Sequence, residues 1–127
     1  MVTNRALEYQ RNQVQTASPE ELTFMLYNGL VKFIKQGKKE IENKQIEQAN
    51  NYVIRAQDIL SELMLTLNMD YEISKQLMPL YDYMKNGLVQ ANLQKDLEKL
   101  LEIEEMAVEL KETWAQAMKI AKKTAGT

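Results

Sequence analysis

The sequence predicts an all-α protein, an antiparallel up-down four-helix bundle with a short additional N-terminal helix. Three observations carry that reading. The 127 residues include only four glycines and two prolines, the residues that most often punctuate a chain. Apolar residues recur at spacings of three and four throughout, and the β-branched alternation that marks strands is absent. The uninterrupted stretches are long and the connections short, which makes successive helices antiparallel neighbours. The length suits one domain over 1–127, with 18–125 as the bundle and 1–15 as a separate leading segment.

The first element, about Asn4 to Val14, is mostly polar, with Ala6, Leu7, Tyr9 and Val14 as its apolar residues. So short a helix is marginal alone and must dock to persist. The second runs from Pro19 to about Glu42. Ser18 can cap it through its hydroxyl, Pro19 suits the first helical position, and Glu21 completes a capping box. Asn43-Lys44 reads as the following turn.

The third element, from about Gln45 to Leu67, carries the seam Ile46, Ala49, Val53, Ala56, Leu60, Leu63 and Leu67. Asn68-Met69-Asp70 is a turn, with Asp70 a cap candidate. The fourth runs from about Tyr71 to Ala91, on the stripe Ile73, Leu77, Leu80, Met84, Leu88 and Ala91. Pro79 lies inside it, where a missing amide donor should kink the helix. The fifth starts near Lys95-Asp96 and continues to about Thr124, along Leu100, Ile103, Ala107, Leu110, Trp114, Ala117 and Ala121. Gly126 follows as a stop signal.

Composition removes most chemistry. There is no cysteine and no histidine, so a disulfide framework, a thiolate nucleophile and the commonest general base and metal ligand are excluded. No phosphate-cradling glycine loop or nucleophile elbow occurs, and no cofactor is expected. Glu20, Glu21, Glu102, Glu104 and Glu105 read as solvated helix faces. The arginines are three and scattered: Arg5, Arg11 and Arg55. The formal net charge of −2 with both signs interspersed gives no footprint for nucleic acid. No apolar run approaches the roughly 20 residues of a membrane span, and the N-terminus lacks a signal peptide's apolar region. The expected setting is the cytoplasm, without membrane insertion.

What remains is surplus apolar surface. In the second element Leu22, Leu26, Gly29, Leu30, Phe33 and Gly37 make one stripe. Phe24, Tyr27, Val31 and Ile34 make another, rotated around the helix. Tyr52, Ile59 and Met64 lie off the seam of the third element. Tyr71, Tyr81 and Tyr83 cannot all face inward beside Leu80 and Met84. Either the second element touches two neighbours and is buried all round, or its second stripe seats a partner helix. Gly29 and Gly37, eight residues apart on nearly one face, permit close approach of a helix from the bundle or from a partner. Eight methionines fill core gaps or supply an adaptable binding surface.

Between Tyr9 and Phe33 stand Tyr9, Val14, Thr16-Ala17-Ser18-Pro19-Glu20-Glu21-Leu22 and Met25-Leu26-Tyr27-Asn28-Gly29. In that order they resemble the flagellar secretion chaperone FliS family. Leu63, Thr66 and Leu67, then Leu80-Tyr81-Asp82-Tyr83-Met84, Ala91-Asn92 and Thr113-Trp114 follow in order. Asn28 stands where the family usually has aspartate. Met69-Asp70-Tyr71-Glu72 replaces a glycine pair, and Pro79 is not part of the pattern.

The resemblance implies a non-enzymatic chaperone in the bacterial cytoplasm. Its client would be the disordered C-terminal segment of flagellin, kept from premature polymerisation and handed to a component of the flagellar type III export gate. A bundle adaptor for another secreted or regulatory client is the alternative. In that family the client wraps the bundle and forms helices in apolar grooves, and the N-terminal segment can cover part of that surface. Tyr9 and Val14 are then lid contacts. Phe24, Tyr27, Val31, Ile34, Tyr52, Ile59, Tyr83 and Met84 are the groove candidates, and an exposed groove could pair two copies when client is absent.

Overall fold

The computed structural model describes residues 16–125, and among those residues it has four long helices and no strand. They are α1 (Pro19–Glu42), α2 (Ile46–Leu65), α3 (Glu72–Gln94) and α4 (Leu97–Ala125). The expected helix near Asn4 to Val14, and Gly126, lie outside the described residues.

Local chemistry sets the helix ends. The Glu21 amide donates to Ser18 Oγ at 3.2 Å, and Pro19 opens α1. Asn43 closes α1, and Lys44 turns the chain with a φ of 61°. Between α2 and α3 the Asp70 amide donates to Asn68 Oδ1 at 3.0 Å. The cap expected of Asp70 is not formed: Tyr71 occupies the cap position, with no side-chain cap bond. The helical assignment of α3 runs unbroken through Pro79. Asp96 caps α4, its Oδ1 accepting from the Glu98 and Lys99 amides at 3.1 and 3.2 Å.

Each helix packs on two others, in the ring α1–α2–α3–α4 and back to α1. Contacts fix the directions. Along α1 and α2, Gly37 faces Val53 while Gly29 faces Ile59. Along α1 and α4, Lys38 pairs with Glu104 at 2.9 Å while Trp114 Nε1 donates to the Glu20 carbonyl at 3.0 Å. Both pairings run in opposite senses, as an antiparallel bundle requires. The core holds Leu30, Ile34, Val53, Leu60, Leu63, Met84, Leu88, Leu100 and Ile103, all fully buried. Each such side chain contributes about 1.5–3 kcal/mol.

The outer turns of the predicted seams depart from expectation. Ile46, Ile73, Ala117 and Ala121 are exposed. They sit near helix ends, where fewer turns of the neighbouring helices remain to cover them. Glu104, read as solvated, is buried instead. It follows Ile103 on the flank of α4 that meets α1, and Lys38 reaches it there.

Candidate functional site

The groove candidates divide by burial. Tyr27, Ile34 and Met84 are at most 1% exposed, and Val31 is buried with them in the core cluster. Their reading as partner surface is therefore corrected: Tyr27, Val31 and Ile34 of α1, and Met84 of α3, are taken up by the core that neighbouring helices share. Phe24, Tyr52 and Ile59 are half-buried, and Tyr83 is 45% exposed. Tyr9 and Val14 lie outside the described residues. On the other stripe of α1, Leu22, Leu26, Gly29 and Phe33 are half-buried, while Leu30 and Gly37 are buried.

The close approach at the α1 glycines belongs to the bundle itself. A Cβ at Gly37 would sit 2.8 Å from Val53 Cγ2, and one at Gly29 3.0 Å from Ile59 Cδ1. The partner across both is α2. Tyr52 and Ile59 flank that seam, and the ring of Tyr52 stacks on Phe33 with centroids 6.3 Å apart.

Tyr27 and Tyr81 meet across the core, hydroxyl to hydroxyl, and join helices that are otherwise diagonal in the ring. Burial pushes both phenols above their ordinary pKa; the shared bond also raises that of Tyr81 and partly offsets the rise at Tyr27. The indole of Trp114 packs edge-on to Tyr27, with centroids 6.0 Å apart.

On the α3–α4 edge Tyr83 donates to Glu102 Oε2 at 2.8 Å, and Lys99 Nζ donates to Glu102 Oε1 at 2.8 Å. The Lys99 ammonium, followed by the Tyr83 hydroxyl, holds the Glu102 carboxyl below its ordinary pKa; Glu102, followed by Tyr83, holds the Lys99 ammonium above its own. The hydroxyl of Tyr83 is thus engaged while much of its ring stays open.

An open apolar strip along α2 and α3 was missed in the sequence. Asn92 Nδ2 donates to Asn50 Oδ1 at 2.6 Å and pins α3 to α2 at that level. Ile46 and Ile54 lie one turn to either side of Asn50, and Val89 and Leu93 lie beside Asn92. All four are exposed, Leu93 at 81%. Leu65 and Ile73, also exposed, lie toward the opposite ends of the same two helices. Ile54, Val89 and Leu93 fall off the three/four seams, and that residue-by-residue mismatch was the available signal. Among the described residues no acidic cluster could hold a metal ion, and no helix is long and apolar enough to cross a membrane.

Comparison with known proteins adds a family to this geometry. A family model described as flagellar protein FliS matches residues 2–121. The chain is 43% identical over 122 residues to the flagellar secretion chaperone FliS of Bacillus subtilis, covering 96% of this chain and 92% of that protein. It is 33% identical to its namesake from Vibrio cholerae, over 83% of this chain and 79% of that one. The Campylobacter jejuni protein of that name is also 33% identical, over 85% and 86% of the two chains.

Proposed function

The chain belongs to the FliS family of flagellar proteins, a family of export chaperones and not of enzymes, and on that premise we propose that its client is the disordered C-terminal segment of flagellin. In this reading the protein works in the bacterial cytoplasm. It keeps flagellin from polymerising early and passes it to a component of the flagellar type III export gate.

The observation that carries the proposal is the open strip of Ile46, Ile54, Val89 and Leu93 between α2 and α3. A client helix laid along it removes apolar surface from water at about 25 cal/mol per Å2. That gain must exceed the roughly 2–5 kcal/mol spent in ordering a disordered segment. A strip of several exposed aliphatic chains on two adjacent helices is of the right kind for a helix-in-groove binder. Phe24, Tyr52, Ile59 and Tyr83 keep accessible surface and serve as secondary contacts on other edges. Tyr9 and Val14 act in a leading segment that covers part of the same surface until client arrives. Without client, the strip also offers a surface on which two copies pair.

Calorimetric titration with a flagellin C-terminal peptide, followed by circular dichroism, tests this. Binding with a gain of helix is expected, and Ile54→Ser or Leu93→Ser should each weaken it about tenfold, the loss of roughly 1.4 kcal/mol. Absence of binding to that peptide, with capture of a different disordered segment, would instead favour the adaptor for another client.

A further inference from the structure

The outer edge between α1 and α2 concentrates charge that the rest of the chain balances. Lys32, Lys35 and Lys39 recur at spacings of three and four, so they share one exposed face of α1. Across the edge stands Arg55 of α2, also exposed. Among the described residues the salt bridges use Lys38, Lys75 and Lys99, and none of these four cations pairs with a carboxylate. In a chain of net charge −2, that makes a local exception.

Two of the cations, Lys32 and Arg55, flank an aromatic platform. Phe33 stacks on Tyr52 with an interplanar angle of 23°. Lys32 Nζ lies 5.8 Å from the Phe33 centroid, and Arg55 Cζ lies 5.6 Å from it. Beside the stack opens a cleft of about 260 Å3 lined by Gln48, Asn51, Tyr52 and Arg55. A guanidinium held over a ring keeps its in-plane N–H donors, which suit the two oxygens of a carboxylate. The neighbouring amides of Gln48 and Asn51 supply further donors at the same cleft.

We propose that this edge docks an acidic segment of a partner protein, with carboxylates on Arg55 and the Lys32, Lys35, Lys39 row, and an apolar side chain against the Phe33–Tyr52 stack. Charge complementarity selects the occupant: four unpaired cations repel a basic segment and attract an acidic one. The surface lies around the bundle from the α2–α3 strip, and it does not require that the client be flagellin.

Fluorescence anisotropy decides it, with two labelled peptides as probes: an amphipathic peptide of Glu, Leu and Phe, and its counterpart with Lys for Glu. The acidic peptide should bind, more weakly as salt rises, and the basic one should not. Arg55→Gln should weaken the acidic peptide about tenfold, as expected for one lost charge-assisted contact. The triple variant Lys32→Gln, Lys35→Gln, Lys39→Gln should weaken it at least as much. All four changes are at exposed sites, and thermal unfolding by circular dichroism checks that each variant is folded. Equal binding of the two peptides, or wild-type affinity in both folded variants, would overturn the proposal. So would preference for phosphatidylglycerol vesicles or for duplex DNA over the acidic peptide. Titrating both variants with the flagellin peptide keeps this outcome separate from that of the client strip.

Discussion

The hydroxyls of Tyr27 and Tyr81 face one another inside the bundle, where each is the other's means of avoiding an unpaired buried polar group. Removing one should therefore cost more than removing both. Tyr27→Phe leaves the Tyr81 hydroxyl buried alone, a loss of about 1–3 kcal/mol. Tyr27→Phe with Tyr81→Phe should cost less than the sum of the two single changes. Urea unfolding of the three variants measures this, and additive losses would show that the bond contributes nothing specific. The raised phenol pKa values have a defined sign. A group that holds its proton more tightly when folded contributes stability that is complete below its ordinary value, here 10.0. That stability is lost as pH climbs from there toward the raised folded value. In an alkaline titration followed by phenolate absorbance, Tyr27 and Tyr81 should stay silent until the bundle unfolds. Sequence gave a partial view at this scale. That Tyr71, Tyr81 and Tyr83 divide between inside and outside follows from helical spacing. That Tyr81 is the inner one, and meets Tyr27 across 54 residues, depends on the tertiary arrangement.

At the scale of an element, the glycines of α1 and α3 rank the helix contacts. A Cβ at Gly37 meets Val53 Cγ2 at 2.8 Å, and the branched valine has little freedom to yield. Gly37→Ala should destabilise by about 1–3 kcal/mol, since overpacking exceeds the roughly 1 kcal/mol gained in helix propensity. At Gly87 the nearest atom, also at 2.8 Å, is the terminal Cδ1 of Ile103, so the loss should be smaller. At Gly29 the neighbour is Ile59 Cδ1 at 3.0 Å on a half-buried side chain, and Gly29→Ala should be neutral or stabilising. Thermal melts of the three variants test that order, and Gly37→Ala as the most stable of them would refute it. Helix ends were the most legible part of the chain, because Ser18-Pro19 carries its own start signal; α1 spans the residues expected of it. Faces were harder to assign. Two stripes on α1 can be told apart by spacing, but which one meets a neighbour depends on where α2 and α4 stand.

At the scale of the whole molecule, the four helices of the described residues make a closed ring, and closure explains which of their apolar residues remain outside. Every helix spends its inner arc on the core and two flanks on neighbours, so away from the helix ends unpartnered aliphatic chains collect on outer lips. Ile54 and Val89 are such lip residues: spacing marks each as off its own helix's seam, but which two helices bring them together depends on the tertiary arrangement. The client proposal has its test at this scale. If the leading segment competes with client, deleting residues 1–15 should strengthen binding of the flagellin C-terminal peptide. Calorimetry on the truncated and full chains measures it, and unchanged or weaker binding after deletion would remove the lid from the proposal.

Trp114 is the chain's lone tryptophan, and its indole spans from α4 to the first turn of α1 through the Glu20 carbonyl. It therefore serves as a built-in optical gauge of that junction, a few residues from where the leading segment joins. Emission will shift to the red if the first turn of α1 parts from α4, and to the blue if a bound segment shields the ring. The opening and covering of that end of the bundle can be followed in real time, on unlabelled protein.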